Sequence, residues 1–194
     1  MLFRSARMSA LVVGTDLPLV ALDAYVRAAT KLSIESPQCG LQWPMIAAVG
    51  RIESKHGNVN GATLRPDGQT TVAIIGVGLP GQDGTARVPD TDDGRLDGDA
   101  DLDRAVGPLQ FLPSTWVAYR RDGNGDNAAD PQNIYDAALS AGAYLCSSRR
   151  SLRVAENLRD AFFAYNRSTN YVNAAIGNVD LYRRLAFPPV PSGG

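Results

Sequence analysis

The stretch that decides the fold is WPMIAAVGRIESKHG, residues 43–57. Pro44 stands where proline is favoured, at the first positions of a helix. Apolar residues then repeat at helical spacing to form one stripe, through Met45, Ala48, Val49 and Ile52. Gly57 is placed to stop the helix. The stretch therefore predicts a helix over 43–54 that packs against a core.

Glu53 is the unusual residue of this helix. At about 100° per residue it lies one turn after Val49, at the edge of the apolar stripe. A carboxylate on that border loses hydration, which raises its pKa and lets it act as a general acid near neutrality. The alternative is a boundary glutamate paired with Arg51 or Lys55. This stretch alone leaves both interpretations open.

Helical periodicity extends over most of the chain. It predicts further helices at 18–33, 133–148, 151–166 and 170–185, with another helix start at Pro113. Small residues of the 133–148 helix allow close packing, namely Ala138, Ala141 and Gly142.

The middle of the chain has a different pattern. One apolar run, 70–79, precedes a very acidic stretch, 89–104. This order predicts a strand or hairpin followed by a long loop. The loop is interpreted as a solvated surface segment, with the lining of a cleft as the alternative.

Composition excludes some classes of function. The length of 194 residues predicts one domain. The net charge of −1, without a basic stripe, argues against a nucleic-acid partner. No stretch approaches the roughly 20 apolar residues of a membrane span. Residues 1–17 are interpreted as an extension that contains the remnant of an export signal, and 187–194 as a Pro/Gly-rich tail. Cys39 and Cys146 fit either two buried thiols or one disulfide.

Two other stretches could contact a sugar. In AVGPLQFLPSTW (105–116), Gln110 and Phe111 lie on a short connection and could present an amide and a flat face. In FAYNRSTNYV (163–172), Tyr165, Asn166 and Tyr171 lie at a helix junction and offer rings and hydrogen-bonding groups for an N-acetylated pyranose. The alternatives are a packed loop and a helix cap with a core ring.

These three stretches, in this order, resemble the lytic murein transglycosylases of the family typified by membrane-bound lytic transglycosylase B, and particularly its compact actinobacterial type. The resemblance implies a mostly α-helical (α+β) fold over 18–186, of the lysozyme-like goose type, with a small β-hairpin and a long acidic loop. It assigns Glu53 as the single catalytic acid/base. The cleft residues that it implies are Gln110, Phe111, Tyr144, Tyr165, Asn166 and Tyr171. Arg167 departs from the family, in which histidine often follows the asparagine.

The activity that this resemblance implies is cleavage of the β-1,4 bond between N-acetylmuramic acid and N-acetylglucosamine, with formation of a 1,6-anhydromuramoyl end. No cofactor is expected for the chemistry. One alternative is a hydrolytic muramidase, with water activated by Glu53 or by an acidic-loop residue such as Asp97. Another is an inactive peptidoglycan-binding module of the cell wall. The expected partner is the peptidoglycan glycan strand, and the protein is expected to be an exported monomer.

The stretch DGNGDNAADPQNIYD (122–136) suggests a structural calcium ion. Asp122, Asn124 and Asp126 stand at positions 1, 3 and 5 of an EF-hand loop, whereas Asn127 and Asn133 depart from its positions 6 and 12. The resemblance implies a longer, 15-residue calcium loop, which would add the Ala128 carbonyl and Asp136. The alternative is a turn rich in Asp and Asn with no metal.

A disulfide is also expected, because an exported protein retains such a bond. We predict that it joins Cys39 to Cys146. It would link the segment before the Glu53 helix to the end of the 133–148 helix.

Overall fold

The computed structural model describes residues 12–78 and 87–186. Most of the predicted N-terminal extension, the Pro/Gly-rich tail and the last residue of the apolar run lie outside these ranges. The described residues are mostly helical, as predicted. Six α-helices lie within them: α1 (Leu19–Glu35), α2 (Trp43–Ser54), α3 (Pro113–Tyr119), α4 (Ile134–Leu145), α5 (Ala155–Tyr165) and α6 (Thr169–Ala186).

Helix α2 lies at the centre of the fold. All five residues from Met45 to Val49 are fully buried, because α2 packs against α1 on one side and α6 on another. A helix that is apolar on every side belongs in a core. The sequence predicted one apolar stripe, whereas the structure buries nearly the whole circumference and leaves the last turn, with Glu53, partly exposed.

Helices α1 and α4 pack against each other. A side chain at Gly142 would overlap Leu32 and Leu41, so the small residue permits the close contact that the sequence predicted. Helix α5 begins at Ala155, four residues later than predicted. One reason is that the Leu152 amide donates a hydrogen bond to the Cys39 carbonyl (2.7 Å), which holds residue 152 against the segment that follows α1.

The predicted strand takes a different form. Within the described residues, β structure consists of isolated bridges, such as Leu64 with Thr70 and Ile75 with Val106. A side chain takes the place of a partner strand at Ile74. The Ile74 amide donates to Gln132 Oε1 (2.9 Å), and Gln132 Nε2 donates to the Ile74 carbonyl (3.0 Å). Both backbone groups are thus satisfied without a sheet.

The predicted disulfide is confirmed. Cys39 and Cys146 are joined, with Cα atoms 5.6 Å apart. The bond links the short 3-10 helix Pro37–Cys39 to the residue that follows α4. None of the helices in the part of the chain that the structure describes is long and apolar enough to span a membrane.

Candidate active site

Glu53 occupies the last turn of α2 and is partly buried. The Tyr171 hydroxyl donates a hydrogen bond of 2.7 Å to Glu53 Oε1. Burial raises the pKa of Glu53 to about 7, and the hydrogen bond from Tyr171 opposes part of that rise. The carboxyl group can therefore exist in either protonation state near neutral pH.

The boundary ion pair that the sequence left open is not formed. Arg51 instead pairs with Asp16, with 2.8 Å between Nε and Oδ2. Within residues 12–78 and 87–186, Glu53 has no salt-bridge partner. The Glu53 carboxylate is therefore not held in an ion pair with any of these residues.

The turn after Glu53 attaches α2 to the loop that contains Gln110. Ser54 Oγ donates to the Pro108 carbonyl (2.6 Å) and accepts from the Gly57 amide (2.7 Å). Gly57 has a φ of 86°, which glycine adopts readily. These bonds hold the end of the Glu53 helix against residues 105–111.

His56 is a buried residue near Glu53 in the chain that the sequence did not single out. It is fully buried, with Nδ1 3.0 Å from the Tyr25 hydroxyl and Nε2 2.8 Å from the Tyr182 hydroxyl. Burial lowers its pKa to about 4, so the ring is neutral at physiological pH. It connects α1 and α6 through its hydrogen bonds to Tyr25 and Tyr182. The available signal was the position of the chain's only histidine, three residues after the glutamate.

Four tyrosines extend away from Glu53 as a row of rings, which we call the tyrosine wall: Tyr171, Tyr165, Tyr144 and Tyr119. The Tyr171 and Tyr165 rings are stacked, with an interplanar angle of 6° and centroids 6.5 Å apart. Tyr144 lies 5.4 Å from Tyr165, and Tyr119 lies 4.8 Å from Tyr144. The structure thus brings together three predicted site residues and adds Tyr119, whose position on the short helix α3 gave no separate signal.

Hydrogen bonds fix the orientation of two of these rings. The Tyr165 hydroxyl donates to the Leu109 carbonyl and the Tyr144 hydroxyl donates to the Ala164 carbonyl, both at 2.8 Å. The Leu109 contact joins the helix junction of 163–172 to the 105–116 stretch. Three stretches that are distant in sequence therefore meet at Glu53.

Gln110 and Phe111 behave differently from each other. Gln110 is partly exposed, and its Nε2 donates to the Gly107 carbonyl (2.9 Å). Phe111 is only 2% exposed and packs against Trp116 and Tyr165. The expectation of a free aromatic face at Phe111 is therefore corrected, because the ring is buried and packs against Tyr165 of the tyrosine wall.

Asn166 is exposed and caps the end of α5, where its backbone amide donates to the Phe162 carbonyl (3.0 Å). It directly follows Tyr165 in the chain. Arg167 is exposed as well.

The predicted calcium loop is closed by hydrogen bonds of its own. The Asp122 carboxylate accepts from the Gly125 and Asn127 amides, and the Ala128 amide donates to Asp126. Asn124 Nδ2 donates to Asp126 Oδ2 (2.8 Å). These contacts are those of the Asx-turn alternative.

Asp136 carries the fully buried carboxylate of this loop. Its carboxylate accepts from the backbone amides of Gly123, Asn124 and Asp130 at 2.8–3.2 Å. The oxygen-only set of side chains suits calcium. The ion therefore stays a prediction for this loop, in a structural role.

Comparisons of the chain with protein-family models, with curated proteins and with solved structures found no match.

Proposed function

We propose that the protein is a peptidoglycan lytic transglycosylase with Glu53 as its single acid/base. The observation that carries this proposal is the state of Glu53. It is a partly buried carboxyl with a pKa of about 7, it has no salt-bridge partner among the described residues, and it lies at one end of the tyrosine wall. A titratable group shifted by burial beside aromatic surface is a favoured site for acid–base chemistry.

The proposed reaction needs only this one carboxyl group. Glu53 protonates the oxygen that bridges N-acetylmuramic acid and N-acetylglucosamine, and the bond from that oxygen to C1 breaks. The Glu53 carboxylate then accepts the proton of the muramoyl C6 hydroxyl as O6 bonds to C1. The glutamate returns to its starting state, and no water is consumed.

The surroundings of Glu53 favour this route over hydrolysis. Glycoside hydrolases generally use two carboxyl groups. The rise in the pKa of Glu53 comes from burial, and no charged group among the described residues contributes to it. Asp97, the alternative base, is 8% exposed and accepts hydrogen bonds from the Asp99 and Arg104 amides inside the acidic loop. The Asp97 carboxylate therefore stabilises the backbone of that loop.

The tyrosine wall is the proposed surface for the glycan. The apolar faces of pyranose rings pack on aromatic rings. The partly exposed Tyr165, Tyr144 and Tyr119 offer such faces at successive positions, whereas Tyr171 is buried (8% exposed) and contacts Glu53. The Tyr165 hydroxyl already donates to the Leu109 carbonyl. We therefore assign the ring of Tyr165, and not its hydroxyl, to contact with the substrate. The exposed Asn166 amide is suited to the acetamido group of an N-acetylated sugar.

A second candidate function uses the same surface without catalysis. An exported wall module that only binds glycan could use the tyrosine wall and would not need a proton donor. The two functions differ in whether bonds are broken.

The test is digestion of purified peptidoglycan by wild type and by Glu53→Gln. General acid–base catalysis is typically worth about 10²–10⁴-fold, so we expect the variant to lose at least about 100-fold of its activity. Glu156→Gln, on the exposed first turn of α5, is the matched control and should digest the wall as wild type does. A folded Glu53→Gln protein that keeps about a tenth of the activity would refute the role of Glu53. A wild-type protein that binds the wall without cleaving it would support the binding module.

A further inference from the structure

Backbone contacts hold the two ends of the acidic loop together, and three aspartates lie next to these contacts in the sequence. Pro89 and Leu102 form an antiparallel bridge, and the Asp103 amide donates to the Val88 carbonyl (3.0 Å). One carboxylate oxygen each of Asp90, Asp92 and Asp103 lie within 4.8 Å of one another. We call these three residues the aspartate cluster.

The charge of the aspartate cluster has no basic partner in the described part of the chain. The two arginines of the loop are used elsewhere, because Arg95 pairs with Asp93 and Arg104 pairs with Asp99. Two of the three carboxylates are also shielded from water, since Asp103 is 0% and Asp92 is 9% exposed, whereas Asp90 is partly exposed. Carboxylates this close and this buried repel one another unless a cation or a proton joins them.

One buried carboxylate oxygen of the aspartate cluster has no hydrogen-bond partner among the described residues. Asp92 Oδ2 accepts from the Leu96 amide (3.1 Å), whereas the buried Asp92 Oδ1 has no hydrogen-bond partner among the described residues. Both oxygens of the neighbouring Asp103 are used, by the amide and the hydroxyl of Thr91. A buried polar atom normally has a partner, so the free oxygen calls for a ligand.

We propose that Asp90, Asp92 and Asp103 bind a calcium ion. Carboxylate oxygens are ligands that calcium prefers, at about 2.3–2.6 Å, so two ligands on opposite sides of the ion lie up to about 5 Å apart. The spacing within the aspartate cluster fits that range. The ion would satisfy Asp92 Oδ1 and neutralise most of the cluster's charge. This site is separate from the 122–136 loop and does not depend on the proposed function.

The ion would also steady the segment that leads to the active site. Asp103 is followed by Arg104 and Ala105, and the Ala105 carbonyl accepts a hydrogen bond of 2.7 Å from the Gly76 amide. The Gln110 side chain is held by the same segment, because its Nε2 donates to the Gly107 carbonyl. The proposed ion thus anchors one end of the 105–111 loop.

The test is a calorimetric titration of the metal-free full chain with calcium chloride. Asp92→Asn is compared with Asp93→Asn, the exposed neighbour that lies outside the aspartate cluster. We expect Asp92→Asn to bind one calcium ion fewer than Asp93→Asn, and the difference to persist when Asp126→Asn disables the 122–136 loop. Asp90→Asn is a second variant with the same expected loss. Equal stoichiometry in all variants would overturn the proposal.

Thermal melting supplies an independent measurement. Without calcium, Asp92→Asn removes a repelling charge and should melt at a higher temperature than wild type. With excess calcium, the order should reverse, because only wild type gains the bound ion. The same order of melting temperatures in both conditions would contradict a calcium site.

Discussion

In the proposed mechanism, Glu53 meets two opposing requirements. Burial at the end of α2 keeps its proton near neutral pH, which a general acid needs. The same burial penalises the ionised form, so the residue destabilises the fold whenever it is charged. Tyr171 moderates the conflict, because its hydroxyl donates to the carboxylate and stabilises the charge.

The penalty at Glu53 can be measured as a dependence of stability on pH. Its pKa is about 7 in the folded state and 4.5 ordinarily, so between these values the folded state holds more protons than the unfolded state. Stability due to this group therefore falls as pH rises from about 4.5 to 7 and stays low above that. We expect Glu53→Gln to be more stable than wild type at pH 8, by up to about 3 kcal/mol, with a smaller difference at pH 4.

Urea unfolding at pH 4 and pH 8 measures this difference directly. An equal difference between the two proteins at both pH values would mean that the carboxyl of Glu53 has an ordinary pKa. That result would also remove the main support for its role as an acid.

Tyr171 should set the pH at which activity declines. In the proposed reaction Glu53 must be protonated at the start, so kcat/KM should fall as pH rises through about 7. Tyr171→Phe removes a hydrogen bond to the carboxylate, which raises the pKa of Glu53 further and moves this decline to higher pH. Tyr165→Phe is the control, because its hydroxyl donates to Leu109 and not to the carboxylate. A decline that moves to lower pH in Tyr171→Phe would contradict the assignment.

At the scale of the elements, helix positions follow from local signals and the β segment does not. Pro18, Pro44 and Pro113 predict helix starts that the structure places at Leu19, Trp43 and Pro113. The apolar run 70–79 resembles a strand, but the backbone of Ile74 is satisfied by the side chain of Gln132, 58 residues away. Such a contact leaves no mark on the sequence near Ile74.

The loop 122–136 joins α3 to α4 and should respond to calcium as a unit. A ligand that binds only the folded state adds about 2.7 kcal/mol at roughly 100 times its dissociation constant. We expect calcium to raise the melting temperature of an Asp92→Asn chain, in which the aspartate cluster is disabled. Adding Asp122→Ala or Asp126→Ala should remove the rise, whereas the exposed Asp180→Ala should not. Identical melts with calcium and with chelator would favour the Asx-turn interpretation.

At the scale of the molecule, the site is assembled from three segments far apart in sequence. Ser54 bonds to Pro108, and Tyr165 bonds to Leu109. Tyr171 completes the assembly by bonding to Glu53. The sequence identified the segments through their residue types and order. It could not show that Phe111 is buried or that His56 links α1 to α6, because both depend on the packing between helices.

The central claim is that one carboxyl group performs the reaction without water. The C6 hydroxyl is tethered to the same sugar as C1, and such tethering can be worth about 7–11 kcal/mol in well-oriented cases. Water has no tether, and within the described residues no second charged group contributes to the pKa of Glu53. Internal attack is therefore expected to prevail.

The most direct measurement is mass spectrometry of the fragments released from purified peptidoglycan in ¹⁸O-labelled water. The account predicts fragments that end in 1,6-anhydromuramic acid, one water lighter than hydrolytic products, with no incorporated label. Reducing ends that carry the ¹⁸O label would show that water is the nucleophile and would contradict the single-carboxyl mechanism.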